Sequence, residues 1–294
     1  MKNCIQIGRG DLKVWLAEPG KYYNRTRFDW TGFIPQITLK GRTFCVKEEN
    51  DTWNPTGTGG EGLCSEYRVE NDTMGWDESD KLFLKPGIGL LERVDEKPYH
   101  FSTEYKIVEP FPCSVQAGAD YVSFHLGAIP LKGVSYTTDR HVGIIENMLT
   151  ITTTIKNTGA KPLYFREYNH NFLSMNGMGA HPQVTLTLQK NYKNNEDTPG
   201  LVMNETSITF TDEIKSGFMI FCEEPPQPYA PMRWALLDKK ADMSVQEWGD
   251  FDVTRFLAWG GPHVIAPEIY GDFPVAPGQS RSWTRLWKFF GGKV

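Results

Sequence analysis

The stretch Leu149-Thr-Ile-Thr-Thr-Thr-Ile-Lys-Asn-Thr-Gly159, continued by Leu163-Tyr-Phe-Arg-Glu-Tyr-Asn-His-Asn-Phe-Leu-Ser-Met175, decides the fold. In its first half Leu149, Ile151 and Ile155 alternate with threonines and Lys156, the two-residue period of a half-buried antiparallel strand. Asn157 to Pro162 supplies a turn. If the second half is also extended, Tyr164, Arg166, Tyr168, His170 and Phe172 share one face, and Glu167, Asn169 and Asn171 share the other. Polar groups on both faces leave no plain solvent side, so either face can line a ligand groove. The plainer role for a histidine between two asparagines is a hydrogen-bonded corner.

The same alternation recurs outward from this stretch. Phe33, Ile37 and Leu39 oppose Gln36, Thr38 and Lys40. Val122, Phe124 and Leu126 oppose Ser123 and His125, and Val184, Leu186 and Leu188 oppose Thr185, Thr187 and Gln189. Turn signals at Asp197-Thr-Pro-Gly200, Gly260-Gly-Pro262 and Ala276-Pro-Gly278 punctuate these runs. Twenty-eight glycines and nineteen prolines do not fit many long helices. One helix is expected, near Arg233 to Lys240, after the breaker Pro225-Pro-Gln-Pro228. With no internal repeat and no dividing linker, the chain reads as all-β: a large antiparallel β-sandwich, residues 1–294 forming one domain. Asn191 to Pro199 reads as a surface loop.

Charge and motifs narrow the chemistry. The net charge is -5 and no Lys/Arg-rich run is present, which argues against a nucleic-acid partner and for a small polar ligand. There is no GxxxxGK[ST], HExxH or GxSxG pattern, so P-loop, zincin and serine-hydrolase chemistry are disfavoured. Asp77-Glu-Ser-Asp80 lacks calcium-loop spacing and reads as a solvated turn; no metal site is expected. Five dispersed cysteines without a CxxC pair fit reduced, packed thiols and a cytoplasmic protein. Met1-Lys-Asn-Cys-Ile-Gln is not a secretory signal as it stands, so the Asn-x-Thr triplets at Asn24, Asn50, Asn71 and Asn204 carry no weight. No apolar run reaches the length of about 18 residues a membrane helix needs. His100 and His125 read as structural or solvent-facing, with a groove as the alternative for His125; His141 and His181 carry no motif.

A second segment, His263-Val-Ile-Ala-Pro-Glu-Ile-Tyr270, ends an apolar run on Glu268. A carboxylate held against apolar neighbours tends to a raised pKa, which suits proton transfer. A glutamate emerging into solvent at a strand end is the equal alternative.

Together these segments resemble the galactose mutarotase (aldose 1-epimerase) superfamily. The likeness rests on Asn169-His170-Asn171-Phe172 with its threonine-rich approach, on Val264-Ile-Ala-Pro-Glu268 followed by Pro277-Gly278 and the aromatic strand Trp283 to Phe290, and on Phe28-Asp-Trp-Thr-Gly-Phe-Ile-Pro-Gln-Ile-Thr-Leu39 as an opening strand. It implies a supersandwich of the galactose mutarotase type, with His170 as general acid and Glu268 as general base. Arg68 would bind substrate, with Asn169 and Glu66 beside it, and Lys85 would stand in for the family's second histidine. No cofactor is implied. A phosphosugar-type Gly-Ile-Pro motif is missing. Asp250 and Asp252 lie where a substrate-binding aspartate belongs, without its motif.

The activity so implied is interconversion of the anomers of a reducing sugar. One proton leaves the anomeric hydroxyl and one reaches the ring oxygen, an ionised Glu268 and a protonated His170 serving the two transfers at opposite ends of a pyranose-sized hollow. Two other readings stay open. A lyase or glycoside hydrolase on the same scaffold would use Glu66 with Glu268 as a carboxylate pair. A non-catalytic sugar-binding module would leave His170 and Glu268 apart. Aromatic side chains suit sugar stacking, although core packing is their commoner use.

Overall fold

In a computed structural model of the chain, residues 1–69, 80–188, 198–222 and 232–292 are described. These residues form an all-β sandwich of antiparallel sheets with no helix among them. The larger sheet has ten strands, in the order Leu201–Asn204, Ser207–Phe210, Val184–Leu188, Met232–Asp238, Met243–Gly249, Ser280–Gly291, Met148–Asn157, Tyr136–Ile145, Tyr121–Leu126 and Cys113–Ala117. The smaller has five: Phe218–Cys222, Val253–Gly261, Val264–Val275, Leu163–Asn171 and Leu63–Tyr67. A four-stranded sheet formed from Cys4–Arg9, Leu12–Ala17, Gln36–Leu39 and Arg42–Thr43 and a three-stranded one formed from Leu82–Lys85, Gly89–Glu92 and Lys106–Pro110 complete the set. No helix among the described residues is long and apolar enough to cross a membrane.

The alternating residues do what their period requires. Leu149, Ile151 and Ile155 are buried while Thr150, Thr152 and Thr154 are only partly covered. Inward side chains of the two large sheets meet directly, as where Phe273 stacks on Trp283 with ring centroids 3.8 Å apart. The expected helix at Arg233 to Lys240 is instead the strand Met232–Asp238, hydrogen-bonded to Val184–Leu188 and Met243–Gly249. Trp234, Leu236 and Asp238 are buried and alternate with the half-buried Ala235 and Leu237, so two waiting ladders outweigh the helix propensity of Ala, Leu and Lys. Residues 77–79 of the acidic cluster, most of the 191–199 stretch, Asn71 and the breaker at 225–228 lie outside the described residues. Asp80 pairs with Lys132. Cys4, Cys45, Cys64 and Cys113 are free, with Cys45 and Cys64 buried. His125 faces outward beside Asp139 at 2.7 Å, His141 contacts Ser123 at 2.9 Å, and His181 lies 3.0 Å from Asp238.

Polar groups buried between the sheets fix how they stack. Arg285 of the larger sheet donates to Glu167 of the smaller (2.7 and 3.2 Å) and to Glu247 (2.9 Å), while the Trp234 indole N–H donates to Glu247 at 2.6 Å. Burial, opposed by Arg285, pushes the Glu247 carboxyl up to about 7. A second anchor is Arg140, which contacts Asp29 at 2.9 Å and donates to the Thr31 carbonyl at 2.7 Å and the Tyr67 hydroxyl at 3.0 Å. It thereby holds the segment that carries Arg27 against the sandwich.

Candidate active site

The site begins with an interruption in a ladder. Leu163–Asn171 pairs with Val264–Val275 as far as Tyr168 opposite Tyr270, and pairing resumes in the same register at Leu173 opposite Ile265. That register sets His170 opposite Glu268 and Asn171 opposite Pro267. Proline has no N–H to give, so the ladder cannot run through this point. The Asn171 amide takes over and donates to the Pro267 carbonyl at 2.5 Å. Between the two strands, on the outer face of the five-stranded sheet, His170 Nε2 and Glu268 Oε1 lie 3.0 Å apart.

The neighbouring strands set the rest of this face. Leu257 is in register with Glu268, Cys64 with His170, and Glu66 with Tyr168. Phe172 stacks on the His170 ring at 3.9 Å, Trp259 meets it edge-on at 5.4 Å, and Phe28 closes a third side at 6.1 Å. Tyr270 stacks on Tyr168 at 4.3 Å and its hydroxyl donates to Glu268 Oε2 at 3.1 Å. Behind them, Arg27 donates through Nε to Glu66 Oε2 (2.7 Å) and through NH1 to Thr58 (2.9 Å), and it lies 3.4 Å from Glu48. Its guanidinium is sandwiched between Phe28 and Phe101, 4.5 and 4.4 Å from their ring centres. The Tyr168 hydroxyl also donates to Glu66 Oε2, at 2.5 Å.

The sharp entry into the Glu66 strand depends on Gly62. Its φ of 63° is the left-handed region, and a Cβ there would stand 2.0 Å from the Ile34 carbonyl oxygen. No other residue fits without moving the Ile34–Leu63 bridge.

Burial controls the proton states. His170 and Glu268 are 4 % and 1 % exposed. Desolvation drives the His170 imidazole well below its ordinary pKa, and the Arg27 charge pushes the same way. Desolvation drives Glu268 well above the usual carboxyl range, with Glu66 adding to it and Arg27, Tyr270 and Arg68 opposing. Burial therefore favours the carboxylic acid and the neutral imidazole, a direction opposite to the expected ionised Glu268 and protonated His170. Glu66 goes the other way: burial raises it, but Arg27, Lys85 and the Tyr168 hydroxyl together hold it below the ordinary value, as an anion. Three buried atoms of these residues have no hydrogen-bond partner: Glu66 Oε1, His170 Nδ1 and Glu268 Oε1, the last lying 3.0 Å from His170 Nε2 but off the line of a hydrogen bond.

Of the residues singled out from sequence, the structure brings His170, Glu268 and Glu66 to one face. Arg68 sits where its charge is felt at Glu268, Tyr270 and Lys85. Lys85 is fully buried; it donates to the Tyr67 carbonyl (2.5 Å) and the Tyr99 hydroxyl (3.0 Å), and burial brings its pKa down to about 8. It supports the Glu66 strand from below. Asn169 is not at this face. It points into the sandwich, its amide donating to Asn171 Oδ1 at 2.8 Å, because neighbours in a strand face opposite ways. The dyad is also in direct contact rather than at opposite ends of a hollow. Asp250 is tied to the Thr284 backbone N–H at 2.6 Å. Arg27 was missed, since nothing in Asn24-Arg-Thr-Arg-Phe28 distinguishes one arginine from the other.

No protein-family profile matches the chain, and no curated protein sequence matches it. Solved structures do. A galactose mutarotase related enzyme from Lactobacillus acidophilus is similar at TM-score 0.64 and 10 % identity, over 99 % of this chain and 98 % of that one. A galactose mutarotase-like protein from Lactobacillus casei gives 0.62 and 13 %, over 98 % and 100 %. An aldose epimerase homologue from C. elegans gives 0.55 and 9 %, over 98 % of each chain. The chain has the galactose mutarotase-like fold.

Proposed function

We propose that the chain, acting as one domain in the cytoplasm and without a cofactor, interconverts the anomers of a reducing sugar through Glu268 and His170. The observation that carries this reading is the direct 3.0 Å juxtaposition of a protonated-leaning carboxyl and a neutral-leaning imidazole on one face. Ring opening takes a proton from the anomeric hydroxyl and gives one to the ring oxygen. Those two oxygens are bonded to the same carbon, so an acid and a base side by side suit the task. The dyad holds one labile proton. Either partner can deliver it while the other accepts, and ring closure on the opposite face returns the pair to its starting state. The sugar enters by parting the His170–Glu268 contact and takes up the lone pairs and N–H that are now unpartnered. In this reading the Glu66 anion, fixed by Arg27 and Tyr168, accepts sugar hydroxyls through its unpartnered Oε1 once the site opens. Because Oε2 is already occupied twice, a charge-holding role fits Glu66 better than that of a glycosidase nucleophile.

Anomer exchange of a panel of aldoses, followed by NMR saturation transfer, tests the proposal. Glu268→Gln and His170→Gln should each lower the catalysed rate by about 10²–10⁴-fold. Two fully active variants, or no aldose accelerated by the wild type, would end it.

A further inference from the structure

A strip of apolar side chains continues outward from the dyad in sheet register. Phe221 is paired with Leu257, which is paired with Glu268; in the next row Met219 is paired with Trp259. Paired residues share a face. Most of the core is sealed, yet Met219 and Phe221 stay 39 % and 37 % exposed. Trp259, edge-on to His170, leads on to Trp53, whose ring lies 5.2 Å away at a 36° tilt.

Trp53 is held there deliberately by its loop. Asn50 Oδ1 accepts from the Thr52 and Trp53 backbone N–H groups, both at 2.9 Å. His263 Nε2 donates to the Lys47 carbonyl at 3.0 Å, which leaves Nδ1 to accept from the Asn50 amide at 2.9 Å. The indole covers Gly261, where a Cβ would come within 2.5 Å of the ring. Beyond this loop lies a polar groove of about 590 Å³, lined by Asn50, Asn54, Glu49, Lys47 and Arg25 among others.

Flat aromatic faces flanked by amide, carboxylate and guanidinium groups are what a sugar chain needs: apolar C–H faces to stack and hydroxyls to pair. Resting on the anomer-exchange reading, we infer that the substrate is the reducing-end unit of an oligosaccharide rather than a free monosaccharide. Exchange at the dyad requires a free anomeric hydroxyl, so any further sugar must be attached elsewhere on the ring. The Trp259–Trp53 strip is where it rests.

The test is isothermal titration of the intact protein with glucose, xylose and galactose and with cellotriose, maltotriose, xylotriose and a β-1,4-galactotriose. Stacking of one added ring predicts at least one trisaccharide bound roughly ten-fold more tightly than its own monosaccharide. Trp53→Ala and Trp259→Ala should collapse that ratio toward one, and Trp53→Phe, which keeps a ring over Gly261, should retain most of it. Glu268→Gln should keep the ratio while exchange is lost. A ratio near one for every pair, no binding by any sugar, or an unchanged ratio in both alanine variants overturns the inference. So does a concentration-dependent dimer abolished by Phe221→Ser with no sugar affinity, since the strip is then a contact between copies. Trisaccharide selectivity without exchange on any sugar would instead refute the catalytic reading and leave the binding strip standing.

Discussion

Replacing either member of the dyad should tilt the protein's stability against pH, and the two replacements should tilt it in opposite directions. Burial keeps Glu268 protonated above its ordinary value of 4.5 and keeps His170 neutral below its ordinary value of 6.5. Unfolding between those limits therefore releases one proton from Glu268 and lets His170 take one up. The Glu268 pKa is raised in the fold, so its contribution to stability is complete below 4.5 and is lost as pH rises. The His170 pKa is depressed, so its contribution is complete above 6.5 and is lost as pH falls. Each proton is worth about 1.4 kcal/mol per pH unit where it is fully linked. In the wild type the two slopes nearly cancel across this window. Glu268→Gln copies the shape and charge of the protonated acid, so it removes the titration and little else. Relative to wild type it should lose about 1 kcal/mol on going from pH 6.5 to about 5.5, while His170→Gln should gain about 1 kcal/mol over the same step. Urea denaturation followed by tryptophan fluorescence at the two pH values reads this directly, and differences from wild type cancel shared titrations such as that of Glu247. Curves that run parallel to wild type would mean both groups titrate as they do in water, and the argument from burial would be wrong.

Two further outcomes follow from the packing. Arg27→Met strands the buried Glu66 and Glu48 carboxylates and should cost about 3–5 kcal/mol in urea denaturation, with Glu66→Gln in the same chain restoring part of it; a double variant no better than the single one would show that Arg27 does not hold Glu66. Gly62→Ala should destabilise by at least about 2 kcal/mol more than Gly41→Ala, because both have positive φ but only the former meets a carbonyl oxygen at 2.0 Å, nothing lying within 4 Å of the latter. Equal costs in thermal or urea unfolding would remove the steric argument for the entry to the Glu66 strand.

The β architecture was legible because period two is a direct consequence of which face is buried; Val184 to Leu188 carries it without interruption and Leu149 to Lys156 departs from apolar–polar alternation only at the buried Thr153. Met232–Asp238 was not, because Trp234-Ala-Leu-Leu-Asp-Lys-Lys reads as a helix until its neighbours are known. The same split runs through the site. His170 and Glu268 were paired through the resemblance, and Glu66 was reached only as a substrate contact or as half of an alternative carboxylate pair; the structure sets all three on one face. Asn169 was expected beside the substrate through the same resemblance, although alternation alone sends it to the opposite side. Arg27 had no local signature at all: its role comes from Arg140 fixing Asp29 and Thr31 and from aromatic rings distant in sequence closing over it. The proton states were also out of reach, since a sequence gives the titrating groups but not the dielectric around them.

The proline at position 267 has a meaning beyond its own missing bond. A continuous sheet is zipped shut by its backbone, and side chains on it only decorate a finished surface. Withholding one donor leaves a notch whose position is set by covalent chemistry, independent of whichever groups happen to flank it. A different acid, base or nucleophile could be installed at 170 and 268 without reshaping that opening. In this scaffold, then, residue 267 fixes where the sheet is broken, and residues 170 and 268 fix what chemistry stands at the break.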